Sequence, residues 1–161
     1  MEPVMLNNEI RISGLDLFRV MTEEEMIHVR HDKKGICIIA PDLHIILSLA
    51  WKKEGGLFSR LLGGNDPVAN IEACYRKSFK PYGYALDGYL ERTIAGENAR
   101  GLRYTYTAQG IGMSGETYVL KKNGTIYYLH SYYRTSFREE CVRTWNDILD
   151  TARYTSTTIN R

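Results

Sequence analysis

The side chains able to do chemistry in this 161-residue chain are few: four histidines, three cysteines and a scatter of carboxylates. His28 and His31 lie three apart and would share a helix face if a helix reaches that far. With Asp32 or a nearby glutamate they have the donor types of a metal site. Helix-end histidines serve more commonly as polar surface residues, so the sequence is read as holding no metal and no cofactor. His130 sits mid-strand among tyrosines and is expected to be a satisfied core or rim residue. A cysteine nucleophile needs a histidine beside it and a third group to orient that histidine. Cys74 and Cys141 fall instead in apolar stripes of helices, where inert packing is the expectation. Gly55-Gly56 and Gly63-Gly64 lack the GK[ST] ending of a phosphate-binding loop. No catalytic residue is assigned.

The elements that must position these groups centre on Ala99 to Arg134. Runs of alternating apolar and polar residues are separated there by glycine-bearing turns, and Thr, Tyr, Val and Ile fill the runs. Asn123-Gly124 suits a two-residue hairpin, because both residues take positive φ readily. An antiparallel three-stranded meander follows, in which Lys122 pairs with Thr125, Val119 with Tyr128 and Thr117 with His130. A short loop around Gly110 to Met113 would set Tyr104 and Tyr106 beside Val119 and Thr117. One face then carries Leu102, Tyr104, Tyr106, Ala108, Val119, Ile126, Tyr128 and Tyr132. Arg103, Thr105, Thr107, Glu116, Tyr118, Leu120, Tyr127, Leu129 and Tyr133 form the other. Neither set is simply polar, so both faces are expected to be at least partly covered.

Earlier in the chain, Val4 to Val20 reads as one or two edge strands. Thr22 and Glu25 have capping-box spacing ahead of a short helix over Glu23 to Val29. Strands are expected over Ile36–Ala40 and Ile45–Lys52. Asp66-Pro67 is a helix start, a carboxylate N-cap followed by proline at the first helical position. Val68, Ile71, Tyr75 and Phe79 then recur at helical spacing, and Pro81 stops the helix near Lys80. Tyr84–Ile94 is a strand leading through a turn at Gly96 into the meander. Ser136 and Glu139 have the spacing of a second capping box. Phe137, Cys141, Val142, Trp145, Ile148, Leu149 and Ala152 make the strongest amphipathic stripe of the chain. Thr151 to Arg161 is a polar tail, expected to fray.

Composition narrows the partners. Residues 1–161 suit one domain with a core near 36–152. A net charge of +2 with dispersed signs gives no case for nucleic acid, and no apolar run reaches the ~18 residues of a membrane span. The first residues lack the basic and apolar regions of a signal peptide. Three cysteines without a CxxC pair suit a reducing compartment. The expected location is cytoplasmic. Twelve tyrosines against four phenylalanines fit a sheet whose rings are buried while their hydroxyls stay wet or paired.

The order of elements carries a family resemblance. A helix opening at Asp66-Pro67 leads into YGYALDGYLERTIAGENARGLRYTYTAQG; GETYVLKKNGTIYYLHSYYR follows, and then a last amphipathic helix that ends in WNDIL. Over about Ile36 to Ala152 this resembles the PsbP/DcrB-like (Mog-like) fold family, which includes Eag-type chaperones. The resemblance implies an α+β fold, a three-layer α/β/α sandwich around an antiparallel β-sheet. It also implies binding roles: assistance to photosystem II, binding of Ran, or holding the hydrophobic helices of secreted toxins. Many PsbP- and DcrB-like members are exported or lipid-anchored, so the absence of an export signal points to the adaptor or chaperone branch. No individual functional residue carries over.

Two classes of function remain. The first is a non-catalytic binding protein whose partner is another polypeptide or an apolar helix of one, or a second copy in a homodimer. Leu57, Phe58, Leu61 and Leu62 sit between two glycine pairs and could supply the apolar contacts of a mobile lip, or plug one end of the core. Arg103, Glu116, Tyr118, Tyr127 and Tyr133 would add a polar and aromatic rim. The second class is a small-ligand sensor or enzyme using Arg103, Glu116, His130 and the tyrosines as a polar, tyrosine-rich pocket.

Overall fold

A computed structural model describes residues 1–28, 34–55 and 66–155. Its centre is a seven-stranded antiparallel sheet. The strands are β3 (Arg19–Val20), β4 (Lys34–Ala40), β5 (Ile45–Lys53), β6 (Ala85–Ile94), β7 (Glu97–Ala108), β8 (Ile111–Lys122) and β9 (Thr125–Arg134). Their spatial order is β3-β4-β5-β9-β8-β7-β6, so the chain lays down β6 to β9 as a meander and closes it onto the earlier β5. Helix α1 (Pro67–Phe79) covers one face and helix α2 (Arg138–Asp150) the other. The result is the expected three-layer α/β/α arrangement.

Turn chemistry sets the meander. Ala95-Gly96, Gln109-Gly110 and Asn123-Gly124 all have positive φ at both residues. That backbone lets a two-residue turn follow the twist of its strands. The last hairpin has the expected register: Lys122 faces Thr125, Val119 faces Tyr128 and Thr117 faces His130. The β7–β8 hairpin differs. It turns at Gln109-Gly110 rather than through a loop around Gly110 to Met113, so Tyr104 faces Gly115 and Tyr106 faces Met113. The shift is four residues. Because side chains alternate with a period of two, an even shift leaves both faces as read.

Each face closes a core of its own. Under α1, Leu102, Tyr104, Val119, Ile126 and Tyr128 meet Val68, Ile71, Tyr75 and Phe79. Under α2, Tyr118, Leu120, Tyr127, Leu129 and Tyr133 meet Cys141, Trp145, Ile148 and Leu149. The Asp66 carboxylate accepts from the Val68 N–H at 3.0 Å, which caps α1 as expected. Thr22 and Glu25 form the reciprocal capping box, at 2.8 and 3.3 Å, although the turn that they open, Glu25–His28, is 3₁₀. The second capping box does not form. A 3₁₀ turn over Thr135–Phe137 precedes α2, and Phe137, with no side-chain cap, takes the N-cap position.

Both ends of the chain depart from expectation. β1 (Val4–Leu6) and β2 (Ile10–Ile12) pair with β10 (Arg153–Tyr154) in a separate three-stranded sheet. Residues 153 and 154, expected to fray, are therefore ordered by pairing with Ile10 and Arg11. Leu6, Ile10 and Ile12 add their side chains to the core beneath α2.

Candidate functional site

On the α1 side the polar groups of the sheet converge on His130. Strand β9 points its ring toward α1, where the Tyr75 hydroxyl lies 3.2 Å from Nδ1 and reaches Thr117 Oγ1 at 3.1 Å. The Tyr104 hydroxyl lies 3.0 Å from Nε2, and the Tyr132 ring packs on the imidazole with centroids 3.9 Å apart. His130 is a satisfied core residue, as its position among tyrosines predicted. Phe79, Tyr104 and Tyr106 extend the aromatic layer. Tyr104 lies flat on Gly115: a Cβ there would fall 2.5 Å from the ring. Burial pushes the Tyr75, Tyr104 and Tyr132 hydroxyls well above the usual phenol range, so all three stay protonated at physiological pH. Nearer the edge, Tyr84 donates to Glu72 at 3.3 Å and is pushed up to about 12, by burial first and the Glu72 charge second.

The α2 side holds a second cluster. Arg103 and Glu116 face each other across β7 and β8, with Nη2 donating to Oε1 at 3.1 Å. The Tyr133 hydroxyl donates to Oε2 at 2.7 Å. Burial opposes the Arg103 charge, but Glu116 outweighs it and the net shift is upward. Tyr133 is pushed up by burial and by the Glu116 carboxylate. Sequence reasoning placed Arg103 and Glu116 in one polar set. Their direct opposition became visible only with the Gln109-Gly110 turn.

The sequence-assigned contact residues divide in three. Leu57, Phe58, Leu61 and Leu62 lie outside the described residues. Arg103 keeps 19% of its side-chain surface exposed. Glu116, Tyr118, Tyr127 and Tyr133 are interior, with Tyr127 tied to the small sheet by donation to Glu9 at 2.8 Å. Cys141 is buried, whereas Cys74, expected in an apolar stripe, is exposed on the outer side of α1. His31 lies outside the described residues, among which no group of three or more His, Cys, Asp or Glu could hold a metal ion.

The surface adds a feature that the sequence reading passed over. β6 ends the sheet order, and among the described residues its outer edge carries no paired strand. Leu86 and Tyr89, on the α1 side of the sheet, are 38% and 63% exposed, and nearby Tyr82 is 52% exposed. A bulge at Asp87, which is held by Arg138 at 2.6 Å, interrupts the strand near its start.

A large antiparallel sheet with one helix on each face, built from a late four-stranded meander, is the PsbP/DcrB-like fold. Solved structures agree. The solution structure of cyanobacterial PsbP (CyanoP) from Synechocystis sp. PCC 6803 superposes with a TM-score of 0.64 at 7% identity, over 92% of this chain and 88% of that one. LpqN, involved in cell envelope biogenesis of Mycobacterium tuberculosis, superposes at 0.56 with 17% identity, over 91% and 83%. A protein from Bacteroides thetaiotaomicron superposes at 0.57 with 7% identity, over 95% of this chain but 47% of that one. At such identities the likeness is one of fold. No family model and no curated protein sequence matches the chain.

Proposed function

We propose that this chain is a non-catalytic protein-binding domain, an adaptor or chaperone for another polypeptide. The observation that carries the reading is the β6 edge: a ten-residue strand that exposes Leu86 and Tyr89 next to Tyr82. An open edge offers main-chain hydrogen bonds to an added strand, and the alternate side chains beside it set specificity. The chemistry of the two interior clusters supports the same choice over a sensor or enzyme. The Tyr75, Tyr104 and Tyr133 hydroxyls and the Glu116 carboxylate are committed to one another or to neighbours within the core.

In this reading Leu57, Phe58, Leu61 and Leu62 supply further apolar contacts, and Arg103 a polar one. Glu116, Tyr118, Tyr127 and Tyr133 shape the sheet behind them. Two double variants test it: Leu86→Asp with Tyr89→Asp, and Phe58→Asp with Leu61→Asp. The first changes exposed positions only, so its unfolding free energy should stay within about 0.5 kcal/mol of the parent while partner co-purification falls. If both variants remain folded and retain the parent's partners, neither surface is the binding site. A Phe58/Leu61 variant that loses stability before it loses partners would assign that segment to the core.

A further inference from the structure

Among the described residues, three buried polar groups on the α2 side have no hydrogen-bond partner: Arg103 Nε, Ser131 Oγ and Trp145 Nε1. They are not scattered. Arg103, Glu116 and Ser131 are successive partners across β7, β8 and β9 and point to the same face. Helix α2 lies over that face, with Trp145 fully buried against it. Its path can be traced from its contacts. Cys141 Sγ lies 3.5 Å from the Leu43 and His44 carbonyls, just before Ile45, which faces Tyr133. Ser131 lies two residues along β9 from Tyr133, about 6.7 Å of strand. Trp145 lies one turn along α2 from Cys141, about 6 Å of helix. Further on, Asn146 meets Arg92 Nη1 at 2.8 Å, at the far end of β6. This path carries Trp145 toward the Arg103–Glu116–Ser131 row. Glu116 also acts electrostatically on the Cys141 thiol, which sets the turn of α2 just before Trp145 near this carboxylate.

We propose that the α2–sheet interface holds an internal water, seated between the Trp145 indole N–H, the Ser131 hydroxyl and the Arg103–Glu116 pair. The donor and acceptor inventory fits a neutral guest. Trp145 Nε1–H and Arg103 Nε–H can only donate, so they require an acceptor. A water accepts both and has two protons left for Ser131 Oγ and a spare lone pair of Glu116. A buried water needs about 2–4 polar partners, and this site has four. An anion would accept the same donors but meets the Glu116 carboxylate. A cation meets Arg103 and two N–H groups. Leaving three buried groups without partners carries a desolvation penalty for each, which a bridging water removes nearly as well as direct hydrogen bonds.

Water-detected NMR of the intact protein tests the assignment. The two tryptophan indole signals are told apart with Trp51→Phe. The expected result is a cross-peak between the Trp145 indole N–H and water, with the sign of a long-lived bound molecule. It should persist in Ser131→Ala, because the water and not the exchanging serine hydroxyl is its source. Absence of the cross-peak in the parent, or its loss in Ser131→Ala, overturns the proposal. A crystal structure gives a second reading that needs no variant. Density for a water within about 3.2 Å of Trp145 Nε1 supports the site; an anion there, or a protein acceptor on the indole, refutes it.

Discussion

Trp145 concentrates the energetics of the α2 side in one side chain. Its indole is completely enclosed among sheet residues and the flanking Cys141, Ile148 and Leu149. Trp145→Ala would remove that packing and leave a cavity, at a cost of about 3–5 kcal/mol. Chemical denaturation of the variant checks this, and an unchanged midpoint with an unchanged m-value would mean that the stripe faces solvent. Trp145→Phe, which keeps most of the ring volume, should lose much less. The role of Trp145 was readable from the chain, because Cys141, Trp145, Ile148 and Leu149 recur at helical spacing. The role of Tyr75 was only half readable. Its place in the α1 stripe predicted burial, but its hydrogen bonds to Thr117 and His130 depend on how α1 crosses the sheet, which local spacing does not encode. Cys74, its neighbour, was misread for a related reason: one residue is 100° of helix, enough to turn a side chain from the core to solvent.

At the scale of elements, turns decided what could be read. Asn123-Gly124 announces its hairpin because asparagine and glycine both tolerate positive φ. Gln109-Gly110 adopts the same backbone, but glutamine is not a residue that signals it, so the expected loop fell a little later in the chain. β10 was invisible because two residues carry no periodicity, and only pairing with β2 makes them a strand. The second capping box failed because a 3₁₀ turn moved the start of α2 beyond Ser136. Close strand approach adds a constraint of its own. A Cβ on Gly101 would lie 2.0 Å from the Thr117 carbonyl oxygen and 3.1 Å from Tyr118 Cα, both backbone atoms of β8. Gly101→Ala must therefore spread β7 from β8, with a loss of about 1–3 kcal/mol or more. Gly88, on the β6 edge, has nothing within 4 Å of a built Cβ, and Gly88→Ala should stay within about 0.5 kcal/mol of the parent. Urea midpoints of the two variants make the comparison, and equal losses would show that contact with β8 is not what constrains Gly101.

Over the whole molecule, the excess of tyrosine becomes a dependence on pH. The sequence supplied the number of tyrosines but not their environment, and it is the covering of both sheet faces that sets it. Burial raises Tyr75, Tyr104 and Tyr132 on the α1 side, and Tyr133 on the other. Unfolded tyrosine ionises near pH 10. Below that value both states keep their phenolic protons, and the contribution of these residues to stability is intact. Above it the unfolded chain releases protons that the native state holds, so the native state binds more protons and stability falls as pH rises. The urea midpoint should therefore hold to about pH 10 and then decline. The part of the tyrosinate absorbance that belongs to Tyr75, Tyr104, Tyr132 and Tyr133 should appear together with unfolding rather than before it, which separates these phenols from the lysines titrating in the same range. A folded protein that develops full tyrosinate absorbance while its midpoint stays constant would place these hydroxyls in contact with solvent, and would remove the two enclosed faces on which the sandwich is built.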